Sequence, residues 1–243
     1  TATHNTLIGG LAGDALTTGA SNVAVGYGAL TTEDVGQHNV AIGRDALSAQ
    51  NTASAANIYN TAVGSSAGVS VTTGVQNTLI GGLSGDALTS GGSNVAVGVY
   101  ALSGDTQGKY STAIGHGALY AQNLTSDVAS YNTAVGYNVG NSITVGLSNT
   151  LIGAQSGDAI TDADYNCAVG AGTLSTNILG SGSTAMGFNA LYNQNPASAV
   201  SMYNTAYGYG AASQVSTGIH NTCIGGVAGD ALTIGRYNTT LGY

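Results

Sequence analysis

The sequence predicts an all-β chain, a parallel β-solenoid (β-roll) of 17- and 21-residue coils set in a 72-residue super-repeat. Three observations predict it. A unit opening Asn-Thr-Ala-Val-Gly, or a near variant, recurs fourteen times, and its fifth residue is Gly in every copy. Helix formers with long side chains are scarce against 39 Gly, and no 3.6-residue apolar stripe is present.

The unit starts at Asn5, Asn22, Asn39, Asn60, Asn77, Asn94, Ser111, Asn132, Asn149, Asn166, Ser183, Asn204, Asn221 and Asn238. Spacings of 17, 17, 21 and 17 repeat, so Asn5, Asn77, Asn149 and Asn221 lie 72 residues apart. No linker interrupts this register. The expectation is one continuous solenoid over residues 1–243. Because the chain stops part-way through a unit, a segment of a longer fibre protein is also expected.

Within a unit, the β-branched residues before the first Gly suit a short strand. The fourth position is large and apolar (Ile8, Val25, Ile42, Val63), and the third and eighth are mostly small. Gly at the fifth position (Gly9, Gly26, Gly43) and again at the fifteenth (Gly19, Gly36, Gly74) marks two places where the backbone turns or meets a neighbour closely. Stacked coils set like over like, so Asn5, Asn22 and Asn39 should start an amide ladder and Gly9, Gly26 and Gly43 a backbone ladder. At an inter-strand spacing of roughly 4.8 Å, fourteen coils span on the order of 65 Å. Such thin coils bury little apolar area alone, which favours lateral association into an oligomer.

Every third unit of the super-repeat carries four extra residues. Each contains Gln-Asn at one offset (Gln50-Asn51, Gln122-Asn123, Gln194-Asn195) and ends in Tyr. Two readings arise: surface ribs that touch a receptor or glycan, or insertions tolerated as loops, to which the greater weight goes.

Composition excludes several functions. With 3 Lys plus Arg against 11 Asp plus Glu and a net charge of −8, the chain has no basic cluster with which to neutralise phosphates, so nucleic acid is not an expected partner. No apolar run approaches the ~18 residues that span a bilayer.

Gly-Asp-Ala recurs at Asp14, Asp86, Asp158 and Asp230, one super-repeat apart. These carboxylates either bond local backbone N–H groups in a turn or, in a trimer, converge on an axial ion; the turn is favoured. His4, His38 and His220 precede unit starts at a position otherwise held mostly by Tyr, Ser or Gln, and read as surface fillers. Cys167 and Cys223 are too far apart for a disulfide and read as small buried residues. The acids outside the Gly-Asp-Ala register (Glu33, Asp34, Asp105, Asp127, Asp162, Asp164) form no obvious partner set. No catalytic constellation, metal site or cofactor site emerges, and the chain is not expected to be an enzyme.

The units at Asn22–Leu30, Asn39–Leu47, Asn132–Val139 and Asn204–Ala211 resemble the repeats of phage and virus tail-fibre proteins. They are also similar to the head repeats of trimeric autotransporter adhesins, whose unit is shorter. The resemblance covers essentially the whole chain. It implies a homotrimeric parallel β-roll used outside the cell, as a shaft or attachment module on a virion tail fibre or a cell surface, with a host-surface glycan or receptor as partner. The leading expectation is a phage tail fibre used in host adhesion. The second is a bacterial surface adhesin or extracellular filament. A weaker third is an ice-binding surface, because Thr6, Thr61, Thr78 and Thr133 recur at one position, although Val23, Val40 and Val95 interrupt that file.

Overall fold

Thr or Val at the second position and Val or Ile at the fourth point to the same side of an extended backbone, with the residue between them facing the other way. In the structure, a computed structural model describing residues 2–54 and 56–243, this tripeptide forms the main strand of each coil. The central residue is buried in nearly every copy: Ala24, Ala41, Ala62, Leu79 and Ala96 have no exposed surface. The described residues form a parallel β-solenoid of about fourteen turns and contain no helix.

Two compact units divide the chain. The first comprises residues up to Gly117 together with Asn123–Ser130. It holds β1 (Thr6–Ile8), β2 (Val23–Val25), β3 (Val40–Ile42), β4 (Thr61–Val63), β5 (Thr78–Ile80), β6 (Val95–Val97) and β7 (Thr112–Ile114). Each pairs in parallel with the next in unbroken register, as in Thr61↔Thr78, Ala62↔Leu79 and Val63↔Ile80.

The second unit comprises Ala118–Gln122 and Tyr131–Tyr243. Its strands are β8 (Thr133–Val135), β9 (Thr150–Ile152), β10 (Cys167–Val169), β11 (Gly180–Ser181), β12 (Thr184–Met186), β13 (Val200–Ser201), β14 (Thr205–Tyr207), β15 (Thr222–Ile224) and β16 (Thr239–Leu241). Here β8, β9, β10, β12, β14, β15 and β16 pair in parallel in that order, and β11 pairs with β13 alone.

The Gly that follows each main strand is fixed by close approach. Gly26 has φ of 133°, and a Cβ there would stand 2.6 Å from the carbonyl oxygen of Gly43 on the next coil. No side chain fits that gap, and the same approach to the next coil's carbonyl recurs at Gly9, Gly43, Gly64, Gly81 and Gly98.

The interior is filled by a trade between the ninth and twelfth positions. Where the ninth is Leu, as at Leu30, Leu47, Leu102, Leu174 and Leu191, the twelfth is polar: Glu33, Gln50, Asp105, Asn177 and Gln194. Where the ninth is Gly, the twelfth is aliphatic, as at Gly85 with Leu88 and Gly157 with Ile160. A Cβ on Gly85 would lie 2.9 Å from Leu88 Cδ1, and one on Gly157 would lie 2.8 Å from Ile160 Cδ1. The two side chains therefore compete for one volume, and close packing admits one of them. Burying each such Leu or Ile contributes about 1.5–3 kcal/mol.

The extra residues of the long coils are not free loops. They form a second parallel contact with the coil before, through Gln37↔Asn57 and Lys109↔Ala129 in the first unit and β11–β13 in the second. Ile58, Ser130 and Met202 occupy one position of these segments and are buried.

Candidate functional site

The predicted ladders run through the interior. Asn22 N–H donates to Asn5 Oδ1 at 2.8 Å, Asn39 N–H to Asn22 Oδ1 at 2.9 Å, and Asn77 N–H to Asn60 Oδ1 at 2.9 Å. The same amides tie each short coil to itself, because Asn5 Nδ2 donates to Gly19 O at 2.9 Å and Asn22 Nδ2 to Gly36 O at 2.9 Å. In the second unit Asn149, Asn166 and Asn221 repeat both bonds. One buried side chain thus satisfies its own coil and the next.

The Gln residues read as surface ribs require correction. Gln50, Gln122 and Gln194 are fully buried, while their neighbours Asn51, Asn123 and Asn195 are exposed. A long coil encloses more space and has no Gly carbonyl fourteen residues on, and the Gln amide fills that space. Its Oε1 accepts from the Asn that opens the next coil, from Asn60 at 2.8 Å, Asn132 at 2.9 Å and Asn204 at 2.9 Å.

Glu33 and Asp105 likewise depart from the expectation. They lie 72 residues apart, in register with each other and with Asn177, and all three are fully buried. Glu33 Oε1 accepts from Gly36 N–H at 2.8 Å, Val35 N–H at 3.2 Å and the Thr52 hydroxyl at 3.0 Å, and Oε2 accepts from Gln50 Nε2 at 2.9 Å. Asp105 Oδ1 accepts from Gly108 N–H at 3.1 Å and Leu124 N–H at 3.0 Å. Asn177 exchanges two bonds with Gly180, and Gln194 Nε2 has no partner among the described residues. The 72-residue spacing was the signal that identifies this set in the sequence.

The Gly-Asp-Ala carboxylates do not bond local backbone. Asp14 accepts from the Thr31 hydroxyl at 3.1 Å, Asp86 from Ser103, and Asp158 from Ser175 at 2.6 Å, in each case seventeen residues ahead on the next coil. Asp14 and Asp230 are exposed, Asp86 and Asp158 half-buried.

Outside, three files of side chains define the surface. The fourth-position residues point outward, with Ile42, Ile80 and Ile114 each 38–39% exposed in the first unit, and Ile152, Met186 and Ile224 at 37–39% in the second. Beside them runs the Thr and Val file of the second position, which includes Cys167, so this cysteine is half-exposed rather than buried; Cys223 is buried, and both thiols are free. The residues before each unit start form the third file, with rings that stack between coils. His38 and Tyr59 centroids lie 5.2 Å apart, and His220 stands between Tyr203 at 5.3 Å and Tyr237 at 5.0 Å. All fourteen tyrosines are exposed. Lys109 pairs with Asp127, and the hydrogen bond to that carboxylate raises the lysine pKa.

The described residues contain no cluster of three or more metal-ligating side chains, and no helix long and apolar enough to cross a membrane. What they present is buried amides that hold coils together, an exposed aliphatic file, and exposed aromatic rings that stack from coil to coil. The chain matches no protein-family model, no curated protein and no solved structure.

Proposed function

We propose that the chain is a structural shaft or attachment module of an extracellular fibre, of the phage tail-fibre kind, formed by three copies of itself. The outward aliphatic file carries this reading. All-parallel sheets are ordinarily covered on both faces, and here one face presents a Val or Ile on coil after coil. A second copy carries the same file at the same spacing, so association of identical chains matches aliphatic against aliphatic along its length. No fourth-position residue is charged, so the net charge of −8 lies off the file that makes this contact. Exposed tyrosines suit a surface that meets other molecules, since their rings bring apolar area and a hydroxyl together.

Light scattering on the eluting chain tests it. The expected mass is three times 23.7 kDa, and Ile80→Lys with Ile114→Lys should return the mass of one chain while keeping the β-sheet signal. A wild-type monomer would overturn the fibre reading. The adhesin alternative predicts the same mass and differs in its flanks: a membrane anchor in the adjoining sequence favours it, a virion-joining or chaperone domain the tail fibre.

A further inference from the structure

Two shallow hollows lie side by side on the second unit, of about 220 and 460 Å³, and they share Asn189 and Tyr192 as a common wall. The smaller is bounded further by Tyr209, Asn193 and Gln214, the larger by Phe188, Gln155 and Asp158. Phe188 and Tyr209 stack at 5.4 Å with an interplanar angle of 17°, so a pair of aligned rings joins the two hollows on one side and Tyr192 stands between them.

We propose that this double hollow binds a neutral oligosaccharide, with one sugar ring in each half. A pyranose offers an apolar C–H face, which packs on an exposed aromatic ring, and vicinal hydroxyls, which need donors and acceptors side by side. Both are present. Phe188, Tyr192 and Tyr209 are exposed, and amides from Asn189, Asn193, Gln155 and Gln214 each carry a donor and an acceptor. Asn193 Nδ2 already donates to Gln214 Oε1 at 3.1 Å, and Ser175 donates to Asp158 at 2.6 Å, so these groups are held in place before a ligand arrives.

Charge selects among sugars. No Lys, Arg or His borders either hollow, and the one ionisable carboxylate is Asp158, so sialylated or sulfated glycans are repelled. A lone carboxylate also lacks the partner acid that glycosidic cleavage needs, so the ligand is held without being cut.

The repeat supplies an internal control. Asp158 and Ser175 have the same chemistry as Asp86 and Ser103, and as Asp14 and Thr31, in the earlier copies. By contrast Phe188, Asn189, Asn193 and Gln214 replace His116, Gly117, Ala121 and Ser142, and before those Arg44, Asp45, Ala49 and Ser70. Tyr120 and Tyr137 already stand where Tyr192 and Tyr209 do, but the amides of Gln155, Asn189, Asn193 and Gln214 join such rings in one copy alone.

This inference gives the attachment reading a ligand, and its test is separable from that reading. The 243-residue chain is applied to an array of neutral hexose, N-acetylhexosamine and deoxyhexose oligosaccharides printed beside sialylated and sulfated ones, and retained glycans are titrated by calorimetry. The expected result is retention of a neutral oligosaccharide, at least a tenfold loss of affinity in Tyr192→Ala and in Asn193→Ala, and no loss in Tyr120→Ala, the same position one super-repeat earlier. Circular dichroism and mass are read on each sample; Asn193→Ala removes an outer amide and spares the interior. No retained neutral glycan, a preference for anionic ones, or wild-type affinity in both variants would overturn the proposal. A monomer that binds leaves it standing without the fibre, and a trimer that does not bind removes it alone.

Discussion

The buried polar clusters beside the long coils differ between the two units, and the difference follows the donors available. In the first unit Glu33 receives the N–H groups of Val35 and Gly36 and the hydroxyl of Thr52, and Asp105 receives the N–H groups of Gly108 and Leu124. In the second unit the position of Thr52 and Leu124 is held by Pro196, the one proline of the chain, which has neither N–H nor hydroxyl. The acid there is replaced by neutral Asn177. The Gly180 N–H still serves Asn177 and Gln194 Nε2 stands unpaired, but with the donor at Pro196 lost the charge is lost too, because a buried carboxylate stripped of water costs several kcal/mol unless N–H or O–H groups replace that water.

The largest expected effect comes from breaking the charged version. Glu33→Leu leaves the Thr52 hydroxyl, the Gln50 amide and the Gly36 N–H without their acceptor and adds volume beside Leu30. It should cost about 3–5 kcal/mol, read as a lower urea midpoint and as faster hydrogen exchange at Val35 and Gly36. Thr52→Pro imports the second unit's residue into the first while keeping the acid, and a loss of about 1.5–3 kcal/mol is expected because hydrogen bonds to the charge disappear. The reverse graft, Asn177→Asp, should destabilise the second unit by about 1–3 kcal/mol, and Asn177→Asp with Pro196→Leu should recover most of it, as a double-mutant cycle in urea would measure. If Asn177→Asp were neutral alone, the link between donors and charge would be wrong.

The smallest effect belongs to the surface pair. Lys109 has its pKa raised by the hydrogen bond to Asp127. Its contribution is complete below the unfolded lysine value of about 10.4 and is lost as pH rises through the higher folded one. Lys109→Ala should lower the urea midpoint only slightly at neutral pH, since the contribution is fully present there but screened by water and salt.

Period and composition made the fold legible, because a solenoid repeats its backbone and therefore its demands: Gly26 under Gly43, Asn22 over Asn5. The clusters were less legible for a reason of scale. Glu33 and Asp105 depart from the 17-residue unit and agree with each other only at 72, as does the exchange of Leu30 with Glu33 for Gly85 with Leu88. Gln50 looked like a surface residue because amides usually are; its burial depends on Glu33 and Asn60, which meet it only when three coils are stacked. The hollows beside Tyr192 could not be read at all from a linear pattern, since residues from several coils line them.

The corners carry a consequence for how the molecule comes into being. In the coil that opens at Asn39, three side-chain-bearing residues, Asp45, Leu47 and Tyr59, hold φ of 56°, 50° and 57°. Left-handed geometry costs such residues about 1–2 kcal/mol each, so a lone coil starts several kcal/mol uphill before any contact is made. Apart from the turn bonds of Ala46, Ser48 and Gln50, its N–H groups find acceptors on adjoining coils, as Gly43 does at Val25 and Asp45 at Tyr27. A coil is therefore laid down against a finished one, as a row of molecules is added to the ledge of a growing crystal. The first pair of coils is expected to be the slow event, and the leading edge to stay open to any identical strand until the next row covers it.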